Sequence, residues 1–555
     1  ISEIEESCTI SLAQGKSNAI MASSTKFIFL FFILFIFISS VISQSEESES
    51  PSSDDVDKWC DTVPHSEPCK FFMAKKSFKP TNEFEFRRMA VELALDRALA
   101  AQRHAWRWGQ RCDSHKERAA WVDCVRLYDH TIILLNQTLQ GLTANSSSCT
   151  NFDAQTWFSS ALTNLDTCKG GFEDMNVTRF LWPHFQFNVS DLISNVLAIN
   201  QGLIRKEDNY TTSSTHEDYP TWVTHEDRRL LLSSRKLAAS KAMFIVAKDH
   251  TGHFNTIQAA IDAAARSRLK RRKVIHVRKG IYRENIYVNP YANDIVLVGE
   301  GMRSTIITGS RSVRAGYTTY NSATAGIDGL RFMARDITFR NTAGPSMEQA
   351  VALRSSSDLS VYYRCAFIGY QDTLFVHSQR QFYKMCYIYG TIDIIFGNAA
   401  VVFQSCIINV RKPVWGQANV ITAQGRADPN QNTGIVIHSS RITANWDLAP
   451  RIGSVATYLG RPWQKYSRTI IMKSFLDRLV NPVGWLEWRG NRYVNTLYYA
   501  EYKNFGPGSG VRKRVRWGGF HAITNPNAVS QFTVGSFIAG RAWLPGTGVP
   551  FSAGL

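Results

Sequence analysis

Apolar residues recur at helical spacing in 84–108, 118–139, 153–168 and 189–204, and Asn-, Ser- and Gly-rich breaks separate them. Four such segments within 58–205 predict an all-α, up-and-down four-helix bundle. From 241 the texture changes to short β-branched and aromatic runs: KVIHV (273–277), DIVLVGEG (294–301), STIITGS (304–310), AVALR (350–354), AVVFQSCIINV (400–410) and GIVIHSSRI (434–442). One helical segment, 254–266, precedes them. Many short strands with few helices predict an all-β second half.

Three of these runs read alike: VYYRCAFI (361–368), FYKMCYIY (382–389) and VFQSCIIN (402–409). Their cysteines, Cys365, Cys386 and Cys406, lie 21 and 20 residues apart. A repeat of this length, with one short strand per repeat, predicts a solenoid of stacked β-coils. Equivalent residues on neighbouring coils then lie about 5 Å apart, which also suits a disulfide. The spacing allows Cys365–Cys386 and Cys386–Cys406 equally.

The same phase applies to acidic residues. Asp372 follows Cys365 by seven positions, and Asp393 follows Cys386 by seven. Stacking therefore predicts two adjacent carboxylates, with Gln371 beside the first and Gln349 one coil earlier. Two carboxylates this close cannot both ionise cheaply, so one keeps its proton and the other is a nucleophile or base. Amide side chains beside them suit a developing oxyanion. Arg461, in LGRPW (459–463), is a candidate to hold the ionised partner, and Trp463 offers a flat face for a sugar ring. The competing reading is structural, since Asp satisfies turn backbone groups and buried amides form ladders. HExxH and CxxC metal motifs, the G-x-S-x-G elbow, and G-x-G-x-x-G after a strand are all absent from the sequence. His377 reads as a local polar residue.

The chain's beginning bears on its compartment. Residues 27–38 (FIFLFFILFIFI) form an apolar run after Lys26, and small residues follow it. The run is shorter than a membrane-spanning helix, so a secretory signal is expected over 21–43, starting at Met21. Residues 1–20 read as leader sequence outside the protein proper, and 44–57 as an acidic linker. Secretion predicts that most of the ten cysteines pair. Sequons at Asn136, Asn145, Asn176, Asn188 and Asn209 all fall in the first half. Residues 206–240 lose periodicity and carry Arg228-Arg229-Leu230-Leu231 and Arg235-Lys236-Leu237, which read as processing sites.

Charge sharpens the division. Residues 1–237 carry a net charge of −6 and 238–555 of +23. So basic a half implies a polyanionic partner, either nucleic acid or an acidic polysaccharide.

The motifs GYQDTLFVHSQRQFY (369–383), GTIDIIFGNA (390–399), ITAQGRADPNQNTGI (421–435) and YLGRPWQKYSRT (458–469) together resemble plant pectinesterases. So do GWLEWRGN (484–491), TLYYAEYKNFGPG (496–508) and the tail 536–555. AAWVDCVRLYDHTI (119–132), DAQTWFSSALTNLDTCKGGF (153–172) and the Cys60/Cys69 pair resemble the pectinesterase-inhibitor module. The resemblance implies a right-handed parallel β-helix over 241–555 that hydrolyses the C6 methyl esters of galacturonate in pectin. It implies that Asp393 is the nucleophile and Asp372 the acid and then the base. Gln349 and Gln371 stabilise the oxyanion, Arg461 positions Asp393, and Thr319 and Trp463 bind substrate with Gln349 and Arg461. It implies no metal and no cofactor. It selects Cys365–Cys386, leaving Cys406 unpaired, and pairs Cys60 with Cys69 and Cys124 with Cys168. Cys112 and Cys149 remain as candidates for a further bridge. RRLL (228–231) matches the family's cleavage motif. The expected product is a secreted, cell-wall monomer whose partner is pectin rather than nucleic acid, with the helical module pairing in cis or in trans. Three departures stand out: Ile394 where Phe is usual, expected to trim an aromatic beside the site; Phe375 where Tyr is frequent; and Asp249-His250-Thr251-Gly252 in place of an Asp-Gly-Ser-Gly turn.

Overall fold

The computed structural model describes residues 54–76, 78–142, 149–177, 187–210, 242–269, 271–490 and 492–555. The expected leader, signal segment and both basic processing sites lie outside the described residues, as does Asn145.

Among the described residues, six α-helices make up the first unit: α1 (Asp54–Cys60), α2 (Ser66–Met73), α3 (Glu83–Trp108), α4 (His115–Gly141), α5 (Asn151–Asp174) and α6 (Val189–Tyr210). The four long ones match the periodic segments, and caps explain their earlier starts. Asn82 accepts from the Glu85 amide. Ser114 with Glu117, and Thr150 with Asp153, form capping boxes. α1 and α2 were not legible, and α1 begins inside the stretch read as linker. Cys60–Cys69 joins α1 to α2, and Cys124–Cys168 joins α4 to α5, as the resemblance implied. Cys149 is a thiol, so no Cys112–Cys149 bridge forms.

The second unit is a parallel β-helix built from sheets of eleven, eight and seven strands. Each central coil contributes one strand to each sheet, so the repeat carries three strands rather than the expected one. Strands of the eleven- and eight-stranded sheets are joined by two residues, the first of which has positive φ: Arg364, Met385, Ser405, Ser439 and Lys473 on successive coils. One left-handed residue bends the chain within the space of one peptide unit, a conformation that costs roughly 1–2 kcal/mol. The spacing of these bends is 21 and 20 residues around the three cysteines, then 34 and 34. The short period is therefore local. Later coils lengthen because the turns on both sides of the seven-stranded sheet grow, as at 411–418 and 425–433.

Cys365, Cys386 and Cys406 stack in register inside the coil, as expected, but all three are thiols. The Cys365–Cys386 bridge implied by the resemblance is not formed. The Cys386 sulfur points instead to the Tyr362 carbonyl, 3.3 Å away. An aromatic ladder runs beside them: Tyr362 on Tyr383 at 4.6 Å and Tyr383 on Phe403 at 4.5 Å between ring centroids. Ile394 is fully buried in this interior. Its replacement of Phe therefore affects coil packing and not, as expected, the surface beside the site. Three short C-terminal helices, Pro526–Ser530, Val534–Phe537 and Gly540–Trp543, cover apolar residues on the outside of the eleven-stranded sheet.

Phe403 is fully buried in the ladder. Phe403→Ala should lower unfolding stability by about 3–5 kcal/mol, from lost transfer energy plus a residual cavity. Urea unfolding of the variant beside the parent checks this.

Candidate active site

The turns between the eight- and seven-stranded sheets carry the chemistry. Strand pairing aligns Leu374 with Ile395, so Asp372 and Asp393, each two residues earlier, occupy matching turn positions on adjacent coils. Both have positive φ, 59° and 47°. The same local bend thus turns both side chains out of the coil wall and into one cleft.

Arg461 reaches Asp393 from the seven-stranded sheet two coils further on, through Nε to Oδ1 at 2.9 Å and Nη2 to Oδ2 at 2.6 Å. This two-pronged ion pair fixes both carboxylate oxygens. The guanidinium carbon lies 4.3 Å from the Trp488 ring. Asp372 is buried, and its Oδ1 has no partner among the described residues. Burial, and then the Asp393 charge, hold its carboxyl well above the usual carboxylate range, while Arg461 only partly offsets them. The pair therefore splits into one acid that retains its proton and one carboxylate gripped by a cation.

Gln349 and Gln371 line the same cleft. Their side-chain amides have no hydrogen-bond partner among the described residues, which leaves both able to donate. Trp463 packs against Phe375 and Phe396, which themselves stack at 4.3 Å. Phe375 is thus part of a flat aromatic wall. Phe396 and Trp488 went unnoticed in the sequence, although both lie inside motifs that carried the resemblance. His377 is buried, between Ser356 Oγ and Thr167 Oγ1 at 2.9 Å each, and is no triad base.

Thr319 is at the cleft, but its hydroxyl donates to Asp174 Oδ2 at 2.8 Å. Asp174 ends α5, and this contact is one of many. The cavity over the two aspartates, about 410 Å³, is walled on one side by Asp166, Thr167, Glu173 and Asp174 of α5. Ser160 Oγ bonds Ser378 at 2.9 Å, Asn398 bonds Thr163 at 2.8 Å, and Asp153 pairs with Arg380 at 2.7 Å. The apolar core of the bundle continues onto Tyr320, Val351, Phe375 and Phe396 of the β-helix. Pairing of the helical module in cis or in trans was expected, but the face that makes it was not legible. Its only trace was a run of Ser, Thr, Gln and Asn in α5 that the fold buries.

The sequence pattern of the Pectinesterase family matches residues 243–541, more than half of the chain. The chain belongs to the pectinesterase family. Residues 54–199 match the plant invertase/pectin methylesterase inhibitor family. A "Probable pectinesterase/pectinesterase inhibitor 33" of Arabidopsis thaliana is 55% identical over 91% of this chain and 86% of its own. "Pectinesterase 2" of Citrus sinensis is 50% identical over 94% and 99%. The solved structure of pectin methylesterase from carrot is 53% identical, with a TM-score of 0.56, and covers 57% of this pectinesterase and 98% of the carrot chain. A little over half of the present chain thus accounts for nearly the whole carrot chain, whose solved structure holds no counterpart of the helical module.

The raised Asp372 carboxyl has a direct signature. Difference titration of the parent against Asp372→Asn should show one proton released above the ordinary carboxylate range near 4, and absent in the variant. Coincident curves between pH 4 and 8 would contradict the assignment.

Proposed function

We propose that the β-helix of this pectinesterase hydrolyses C6 methyl esters of galacturonate in pectin, with Asp393 as nucleophile. The observation that carries this is the unequal aspartate pair. An Asp393 oxygen attacks the ester carbonyl, and the oxyanion that forms accepts hydrogen bonds from Gln349 and Gln371. As the C–O bond to methoxide breaks, protonated Asp372 gives its proton to the departing oxygen and methanol leaves. The galacturonyl group is now joined to Asp393 as an anhydride. Asp372, now a carboxylate, takes a proton from water while the water oxygen attacks the acyl carbon. Asp393 is released and Asp372 is again an acid. Arg461 keeps Asp393 aimed throughout, and Trp463 and Thr319 hold the sugar. Asp372 thus ends the cycle with a proton from water in place of the one that left in methanol.

The helical module acts in cis in this reading. α5 covers the cleft and occupies Thr319, so the intact chain is a blocked precursor. Cleavage at Arg228-Arg229-Leu230-Leu231 or Arg235-Lys236-Leu237 separates the units. The apolar run at 27–38 directs the chain to secretion and the cell wall, where pectin is the partner. Among the described residues no helix is long and apolar enough to cross a membrane. Asn136 and Asn176 are exposed and able to carry glycans.

Methanol release from highly esterified pectin by residues 241–555 tests the chemistry. Asp393→Asn should abolish it. Gln371→Ala should lower kcat by about a hundredfold, the usual effect of one oxyanion donor. Full turnover by Asp393→Asn would reject the mechanism.

The cis block has its own test. Burial between the units, with Asp428 and Glu173 nearby, pushes Asp166 up to about 7 although Lys169 pulls it down. A carboxyl raised on docking must take up a proton to dock above its ordinary pKa of about 4. That cost grows with pH up to about 7 and is then constant. Asp166→Asn removes it. Relative to residues 241–555, the full-length variant should be more strongly blocked than the parent at pH 8, and the two should converge as pH approaches 4. Parallel profiles would remove Asp166 from this account.

A further inference from the structure

The two most exposed large apolar side chains among the described residues are Trp415, 97% exposed, and Trp446, 80% exposed. Both lie on the enlarged turns that follow the catalytic coils. Trp415 sits between strands Ile407–Val410 and Asn419–Gln424, and Trp446 follows Arg441–Ala444. These turns occupy the same place in their coils as the turns of Asp372 and Asp393, one and two coils further on.

The two turns are fastened to each other and to the catalytic coils. The Asn445 amide bonds the Val410 carbonyl at 2.8 Å. Asp447 accepts from the Lys412 amide at 3.3 Å and pairs with Arg411 at 3.5 Å. Arg411 reaches back to the Gly369 carbonyl at 3.0 Å and the Tyr370 hydroxyl at 2.6 Å, just before Asp372. Trp415 stands in a tight turn in which the Gln417 amide bonds the Val414 carbonyl at 3.1 Å, and Gly416 supplies the φ of +84° that the turn requires. Two broad rings are thus presented to water on held backbone, on neighbouring coils. Lys412, Arg441 and Arg451 lie exposed on the same two turns or their edges.

We propose that Trp415 and Trp446 form a second binding site for polygalacturonate, continuous with the catalytic cleft. The C–H face of a pyranose ring lies flat on an indole, and the cations match the uronate carboxylates. An acidic polysaccharide is the occupant that both features select, and the net charge of +23 on residues 238–555 favours it again. A chain leaving the cleft toward the C-terminal coils crosses both turns. Both rings remain exposed with α5 docked, so the blocked precursor holds pectin here before its cleft opens.

This inference rests on the proposed function only for its substrate class, and its test does not depend on turnover. The Kd of the full-length chain for long, unesterified polygalacturonate is measured by calorimetry for the parent and for W415A/W446A. Both side chains are solvated, so the variant keeps its fold. Its Kd should rise by about tenfold, equivalent to roughly 1.4 kcal/mol. In residues 241–555 the same change should raise KM for long pectin while leaving KM for short esterified oligomers in place. An unchanged Kd, or equal effects on long and short substrates, would overturn the proposal. So would loss of self-association in W415A/W446A, measured by sedimentation, without loss of sugar binding. Residues 241–555 that bind through these tryptophans but release no methanol would reject the esterase reading and leave this site standing.

Discussion

The site depends on one constraint, the in-register stacking of parallel coils. Strand neighbours in a sheet lie about 4.8 Å apart, and nothing in a β-helix relaxes that distance locally. Two aspartates at the same turn position of adjacent coils are therefore held together whatever their charge. A carboxyl pair free to move would separate or bind a counter-ion. Here the backbone ladder on either side, Ala366–Tyr387 before the aspartates and Leu374–Ile395 after them, fixes them. The unequal protonation follows from this enforced closeness, from the burial of Asp372, and from the placement of Arg461 on one partner alone.

The same regularity gives the helical module a surface to read. The seven-stranded sheet offers Phe375, Phe396 and Ala423, and its return turns offer Ser378, Gln379 and Asn398. α5 meets them with a face that is buried yet largely polar: Gln155, Thr156, Ser159, Ser160, Thr163 and Asn164 are all below a tenth exposed. A covalent core of this size would ordinarily be apolar. An interface of paired hydroxyls and amides suits two units that must also be stable apart, since each polar group recovers water on separation.

Much of this was readable from residue spacing. The helices followed from periodicity, and the stacking of Asp372 on Asp393 from the cysteine interval. What failed did so for physical reasons. The count of strands per coil was missed because a single left-handed residue, such as Ser405, bends the chain between two strands without any Gly or Pro to mark it. AVVFQSCIINV therefore reads as one run. The period was extended too far because turn length is free to vary where the ladder is not. The Ile394 expectation failed because Ile394 lies between the Asp393 bend and the strand Ile395–Gly397, where alternation does not say which side faces the interior. α5's buried polar face was invisible because Ser and Thr on a helix read as solvated until a partner surface is known.

The covering of the cleft carries an electrostatic tension that shapes its reversibility. α5 brings Asp166, Glu173 and Asp174 to a cavity that already holds two aspartates. Asp174 adds to the forces raising the Asp372 carboxyl. Lys169, the Thr319 hydroxyl and, for the aspartate pair, Arg461 soften these charges only in part. Like charges in a partly desolvated space are tolerated only when protons or other contacts compensate. The compensation comes from elsewhere along α5, through Asp153 with Arg380 and the apolar contacts of Trp157, and not from the cleft itself. The block is therefore anchored outside the chemistry and strained within it. Such an arrangement covers the site firmly while the units are one chain. Under the proposed cleavage of the linker, the gain from sharing a single chain is lost and the cover weakens.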